Sequence, residues 1–151
     1  PWRVVVGYPS SEGTDFMIAI GKDDKKAFGW NQAWGNTHGL CIADNALWYA
    51  LGNTLRRVSI DGQNKNLGFK RPAGNVSQLT VPSEVMSLAV GPTEFAVLLK
   101  PNDKVKKPEV WVYDKESSKT NAVVTLDMLY RLAYGPDGKL YATPTNNTQM
   151  V

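Results

Sequence analysis

Short runs rich in β-branched and aromatic residues, each closed off by glycine, proline, asparagine or aspartate, recur along this chain, while a 3.6-residue apolar period is nowhere sustained. The runs are Arg3–Gly7, Phe16–Ile20, Gly39–Ala43, Leu47–Leu51, Leu55–Ile60, Val85–Val90, Phe95–Leu99, Glu109–Tyr113, Ala122–Leu126, Arg131–Tyr134 and Lys139–Thr143. One stretch, Asn121 to Leu132, can place Val124, Leu126, Leu129 and Leu132 on a helical face. Against that, Val123, Val124 and Thr125 carry branched side chains that favour extended backbone. Ten or more short strands in 151 residues make an all-β chain.

The turn residues support this reading. In Gly135-Pro136-Asp137-Gly138, Pro136 pre-sets a turn dihedral, Asp137 can accept local N–H bonds, and Gly138 can take positive φ. Asp44-Asn45 and Asp61-Gly62 are further hairpin signals. Lys100 to Pro108, with four lysines and two prolines, reads as an exposed connection between strands. A weak internal repeat runs through the same elements: LCIADNALWYALG from Leu40, LAVGPTEFAVLLK from Leu88 and LAYGPDGKLYATP from Leu132, offset by 48 and 44 residues. Each is a strand, a short turn and a second strand, at a spacing within the range of four-stranded propeller blades.

On these residues, with Asn53–Gly62 as a strand passage and Tyr134–Tyr141 as a turn between two strands, the chain resembles β-propeller proteins of the broad NHL, WD-like and six-bladed lactonase-like group. The resemblance implies β-propeller-like antiparallel blades over roughly residues 39–143; a β-sandwich of generic hairpins is the alternative. Residues 1–151 then form a single β-rich domain or a propeller fragment. Propellers have roughly four to eight blades, and this length fills about three. Another copy or a companion fragment completing the ring is therefore the expected partner.

Composition narrows the function. One cysteine, Cys41, excludes an intrachain disulfide framework, and one histidine, His38, excludes a His-rich metal site. No apolar run approaches the ~20 residues that span a bilayer. A net charge of +3 falls short of a nucleic-acid footprint, although lysines cluster at Lys22, Lys25 and Lys26 and at Lys100, Lys104, Lys106 and Lys107. Two glycosylation acceptors, at Asn75 and Asn146, favour a secreted setting.

Chemistry is sparse. His38 and Cys41 invite a nucleophile–base pair, yet no orienting acid or oxyanion motif accompanies them, so Cys41 reads as a structural thiol. Asp23-Asp24 and Asp61 lack the spacing of a calcium loop and read as turn residues. No catalytic residue, metal or cofactor is expected. The segment from Phe28 to Gly39 stands apart: Trp30 and Trp34 supply flat apolar area, and Asn31, Gln32, Asn36 and His38 supply directional hydrogen bonds. Noncatalytic recognition of a protein or glycan through this aromatic and amide-rich loop is the leading expectation, and a propeller-type hydrolase with an axial metal site is the alternative.

Overall fold

The computed structural model describes the backbone of residues 2–9, 15–21, 27–32, 39–60, 65–128 and 130–144, and the side chains from residue 39 onward within those ranges. The described residues hold β1 (Trp2–Pro9), β2 (Asp15–Gly21), β3 (Ala27–Gln32), β4 (Gly39–Ala43), β5 (Ala46–Leu51), β6 (Thr54–Ser59), β7 (Leu79–Thr80), β8 (Val85–Val90), β9 (Glu94–Leu99), β10 (Glu109–Asp114), β11 (Thr120–Thr125), β12 (Tyr130–Tyr134) and β13 (Leu140–Pro144). All pairings are antiparallel and join chain neighbours: β1-β2-β3, β4-β5-β6-β7, β8-β9-β10-β11 and β12-β13. Asn121 to Thr125 is strand, as its branched side chains require, and the lysine-rich segment links β9 to β10.

Turn chemistry sets the hairpins. Asp44 and Asn45, at φ 53° and 55°, form the tight β4–β5 turn, a conformation that short polar side chains tolerate best after glycine. Between β12 and β13, Gly138 sits at φ 76° and donates to Gly135 O at 3.0 Å, while Asp137 Oδ1 accepts Lys139 N at 3.1 Å. The three repeat starts are therefore three hairpins, β4–β5, β8–β9 and β12–β13.

These hairpins belong to three discrete sheets that pack together. Between β4–β7 and β8–β11 lies a core of Trp48, Leu55, Phe69, Leu79, Val85, Leu88, Phe95, Val97, Leu99 and Tyr113. Trp48, Phe69, Phe95 and Tyr113 make consecutive ring contacts in it, ending in a Phe95–Tyr113 stack at 5.0 Å, and Arg57 lies over Trp48 and Phe69 while donating to Gly68 O. The opposite face of β8–β11 packs Ala89, Ala96, Leu98, Val110 and Val112 against Leu132 of β12, with Tyr130, Tyr134 and Leu140 beside them. Strand β5 is buried throughout because its alternate residues serve two clusters, Ala46, Trp48 and Ala50 on one face and Leu47, Tyr49 and Leu51 on the other. Gly39 allows β4 to approach β8, since a Cβ there would fall 2.7 Å from Leu88 Cβ.

This arrangement corrects several expectations. The sheets are open and discrete, with no curling or closure among the described residues, so the repeat builds no propeller-like ring and the resemblance to propeller proteins fails at the architecture. Among the described residues a two-sheet sandwich is not formed either, because three sheets pack together and each joins strands in chain order without Greek-key crossings. The ring-completing copy or companion fragment was expected to cover apolar flanks. With no ring among the described residues there is none to complete, and the central strands find their cover within the chain, β5 being wholly buried and Phe95 to Leu99 of β9 at 0% exposure. Nor do the described residues support a carbohydrate-binding or secreted protein. Asn75 is exposed, but an accessible acceptor tripeptide establishes neither property. Among the described residues no helix is long and apolar enough to cross a membrane.

Candidate functional site

A groove of about 670 Å³ opens where the β7 end of one sheet meets β10 and β11 of the next. Asn53, Leu79, Thr80, Val81 and Pro82 line one side, and Trp111, Tyr113, Ser118, Lys119 and Thr120 line the other. Arg71, Pro72 and Lys104 enter from connections. The size suits a small ligand or a few residues of a peptide.

Local structure places each polar group. Arg71 begins a β-turn whose fourth residue, Gly74, is at φ 116° and donates to Arg71 O at 3.0 Å; the turn is anchored by the paired Phe69 and Val76. Lys104 follows a side-chain-capped turn in which Asn102 Oδ1 accepts the N–H groups of Lys104 at 2.8 Å and Val105 at 2.7 Å. Burial of Val105 ties that turn to the core. Ser118 and Lys119 come from the β10–β11 turn, where Asp114 Oδ1 accepts Ser117 N at 2.7 Å and Ser117 Oγ at 2.6 Å. Those Ser117 bonds, side chain first, hold the Asp114 carboxyl below its ordinary value, and Ser118 adopts φ 54°.

Trp111 and Tyr113 share a face of β10 by strand period, with ring centroids 6.2 Å apart. The Trp111 Nε1 donates to Glu109 Oε2 at 2.8 Å, which satisfies the indole N–H. The phenol of Tyr113 is pushed up to about 12 by burial, against the opposing pull of the Arg71 charge and a Thr120 side-chain hydrogen bond. Ser118 is only 3% exposed, and its Oγ has no hydrogen-bond partner among the described residues. An unpaired buried hydroxyl is costly and uncommon in a folded protein.

The lining contains three cationic side chains, Arg71, Lys104 and Lys119, and no Asp, Glu, His or Cys. None of these cations forms an ion pair among the described residues, where the pairs are Lys100–Glu84, Lys115–Asp44 and Lys139–Asp137. Electrostatically the groove is a positive surface over an aromatic floor. Burial holds Tyr113 protonated at neutral pH.

Of the residues singled out from sequence, few are described. The backbone of Trp30, Asn31 and Gln32 belongs to β3, so that part of the expected loop is strand; Trp34, Asn36 and His38 lie outside the described residues, as do Asp23, Asp24 and Asp61. Cys41 is partly buried and unbridged, and burial, the largest influence, pushes its thiol up, as expected for a structural cysteine. No cluster of three or more His, Cys, Asp or Glu that could hold a metal occurs among the described residues. Of the groove residues, sequence analysis had marked only Lys104, as part of a lysine cluster. Trp111 and Tyr113, two apart on a strand, were a readable signal for a shared aromatic face. No protein-family model matches the chain, and no curated protein matches it in sequence.

Proposed function

We propose that this protein is a noncatalytic recognition module that holds a segment of a partner protein in the groove beside Trp111. The observation supporting this reading is the lining itself: an aromatic pair flanked by three cations with no acid, histidine or cysteine among them. Such a surface supplies contact area and charge complementarity to a partner. Trp111 is partly exposed, so it can offer ring surface while its N–H stays satisfied by Glu109.

The test is a broad ligand screen followed by metal analysis. Binding without turnover is expected, and Trp111→Ala should weaken it by about 2 kcal/mol or more, as for an aromatic hot spot. A stoichiometric metal with substrate turnover would favour the hydrolase instead. If Trp34→Ala abolishes binding and Trp111→Ala leaves it intact, the ligand sits on the aromatic and amide set Trp30, Asn31, Gln32, Trp34, Asn36 and His38.

A further inference from the structure

We infer that the segment held in the groove is acidic and extended, lying along the free edge of β11 with its carboxylates on Lys104, Lys119 and Arg71 and one of them accepting from the Ser118 hydroxyl. The inference rests on the recognition reading above and deepens it.

Four observations converge. First, the three cations of the groove have no ion-pair partner within contact distance among the described residues and no carboxylate shares the lining, so positive charge outweighs the nearby Asp114 and Glu109 carboxylates where an anion would enter. Second, Ser118 lines the same groove and its buried Oγ lacks a partner among the described residues; turned toward the groove, that hydroxyl would donate to a ligand carboxylate in a charge-assisted hydrogen bond. Third, β11 ends its sheet, paired among the described residues to β10 alone, and all six of its residues are exposed. Its outer N–H and C=O groups are what an added strand pairs with. Fourth, register places Val123 opposite Trp111 and Thr120 opposite Tyr113, hence on the groove face, and Val123 is 47% exposed. A peptide alternating acidic and branched apolar residues would turn its acidic set to the groove face and its apolar set to the opposite face, where Val124, opposite Val110, is 51% exposed. A compact anion would use the cations and leave the open edge of β11 unused, which favours an extended chain.

The experiment uses the whole chain and three probes: a blocked peptide of alternating glutamate and valine about eight residues long, its glutamine counterpart, and a sulfated disaccharide. Affinity is read by fluorescence anisotropy or calorimetry, and contact by amide chemical shifts. The glutamate peptide should bind about tenfold or more tightly than the glutamine one, lose affinity as salt rises, and shift the amides of Thr120 to Thr125. Lys104→Gln and Lys119→Gln should each weaken binding about three- to tenfold. Ser118→Ala should weaken it about fivefold while the melting temperature stays level or rises, since the variant removes an unpaired hydroxyl. A purely structural role would lower the melting temperature instead.

Equal affinity of the two peptides, with Trp111→Ala still abolishing both, would overturn the acidic assignment and leave the recognition groove standing. Tighter binding of the disaccharide than of the glutamate peptide would overturn the peptide assignment. Unshifted β11 amides in a saturated complex would overturn the strand-addition pose. Failure of every probe to engage a well-folded protein would overturn the inference and the groove reading together.

Discussion

The close approach of β4 to β8 makes Gly39→Ala a direct probe of sheet packing. The added Cβ would lie 2.7 Å from Leu88 Cβ, 3.2 Å from Leu88 N and 3.5 Å from Ala50 Cβ. Carbon atoms sit comfortably at roughly 3.5–4.0 Å, so the first contact is short by about 1 Å. Rotamer change cannot relieve it, because a Cβ does not move with χ1 and the next atom is main chain. The two strands must part, and overpacking of that kind costs about 1–3 kcal/mol. Replacing glycine also removes unfolded-state freedom, an opposing gain of about 0.4–1 kcal/mol. The net expectation is a destabilisation of roughly 0–2.6 kcal/mol, centred on about 1 kcal/mol. Urea denaturation followed by tryptophan fluorescence measures it as a lower midpoint at unchanged slope. A double-mutant cycle sharpens the test. Leu88→Ala keeps the offending Cβ, so its effect should add to that of Gly39→Ala within about 0.5 kcal/mol, whereas Leu88→Gly removes the Cβ and should show favourable coupling. A stabilising Gly39→Ala, or the absence of favourable coupling to Leu88→Gly, would refute the contact, and with it the packing of these two sheets at this point.

Three further outcomes follow from the core and its ties. Phe95→Ala empties the centre of the ring cluster at a residue 0% exposed and should cost about 3–5 kcal/mol in the same denaturation assay. Tyr113 titrates at about 12 in the folded chain against an ordinary 10.0, so its contribution is fully present below pH 10 and lost as pH rises from 10 toward 12. That loss amounts to roughly 2–3 kcal/mol and should shrink in Tyr113→Phe, which alkaline melting curves would show. Lys115 donates to Gly91 O at 2.6 Å and pairs with Asp44 Oδ2 at 2.9 Å, joining three hairpin turns. Lys115→Met should cost about 1–3 kcal/mol and Asp44→Asn, whose side chain is half exposed, no more than about 1 kcal/mol, as chemical denaturation at low and high salt can verify.

Much of the strand pattern was legible because turn residues and branched runs act locally. Asp44-Asn45 and Gly135–Gly138 mark their hairpins through their own dihedrals, and Val123 to Thr125 hold β11 extended where a helical face also fitted the spacing. Two strands were missed for physical reasons. Ala27–Gln32 carries glycine and amides that resemble a loop, yet it pairs with β2; Leu79–Thr80 is two residues long and exists only because Leu55 and Thr54 offer it partners. The offsets of 48 and 44 residues were correctly read as a repeat but wrongly as a ring. A period counts supersecondary units, and does not encode how consecutive sheets are inclined to one another. That inclination is set by contacts such as Gly39 on Leu88 and by which alternate residues of β5 and β9 face which cluster, all of them nonlocal.

The candidate site was less legible than the fold for the same reason, carried further. Its parts come from the β5–β6 turn, the approach to β7, the lysine-rich connection and the β10–β11 turn, spanning Asn53 to Thr120. No segment by itself looks like a binding motif. Lys104 is one lysine among four, and Lys119 and Arg71 are unremarked charges on turns. What distinguishes them is a shared lining without an acidic side chain, together with a hydroxyl that folding buries without giving it a partner among the described residues. Folding would ordinarily select against both features, since repelling cations and an unpaired buried polar group each raise the free energy of the folded state. Their coincidence at one groove, next to a strand with an open edge, is what a surface shaped by a missing anionic partner would show, and it is visible only when sequence-distant residues are brought together.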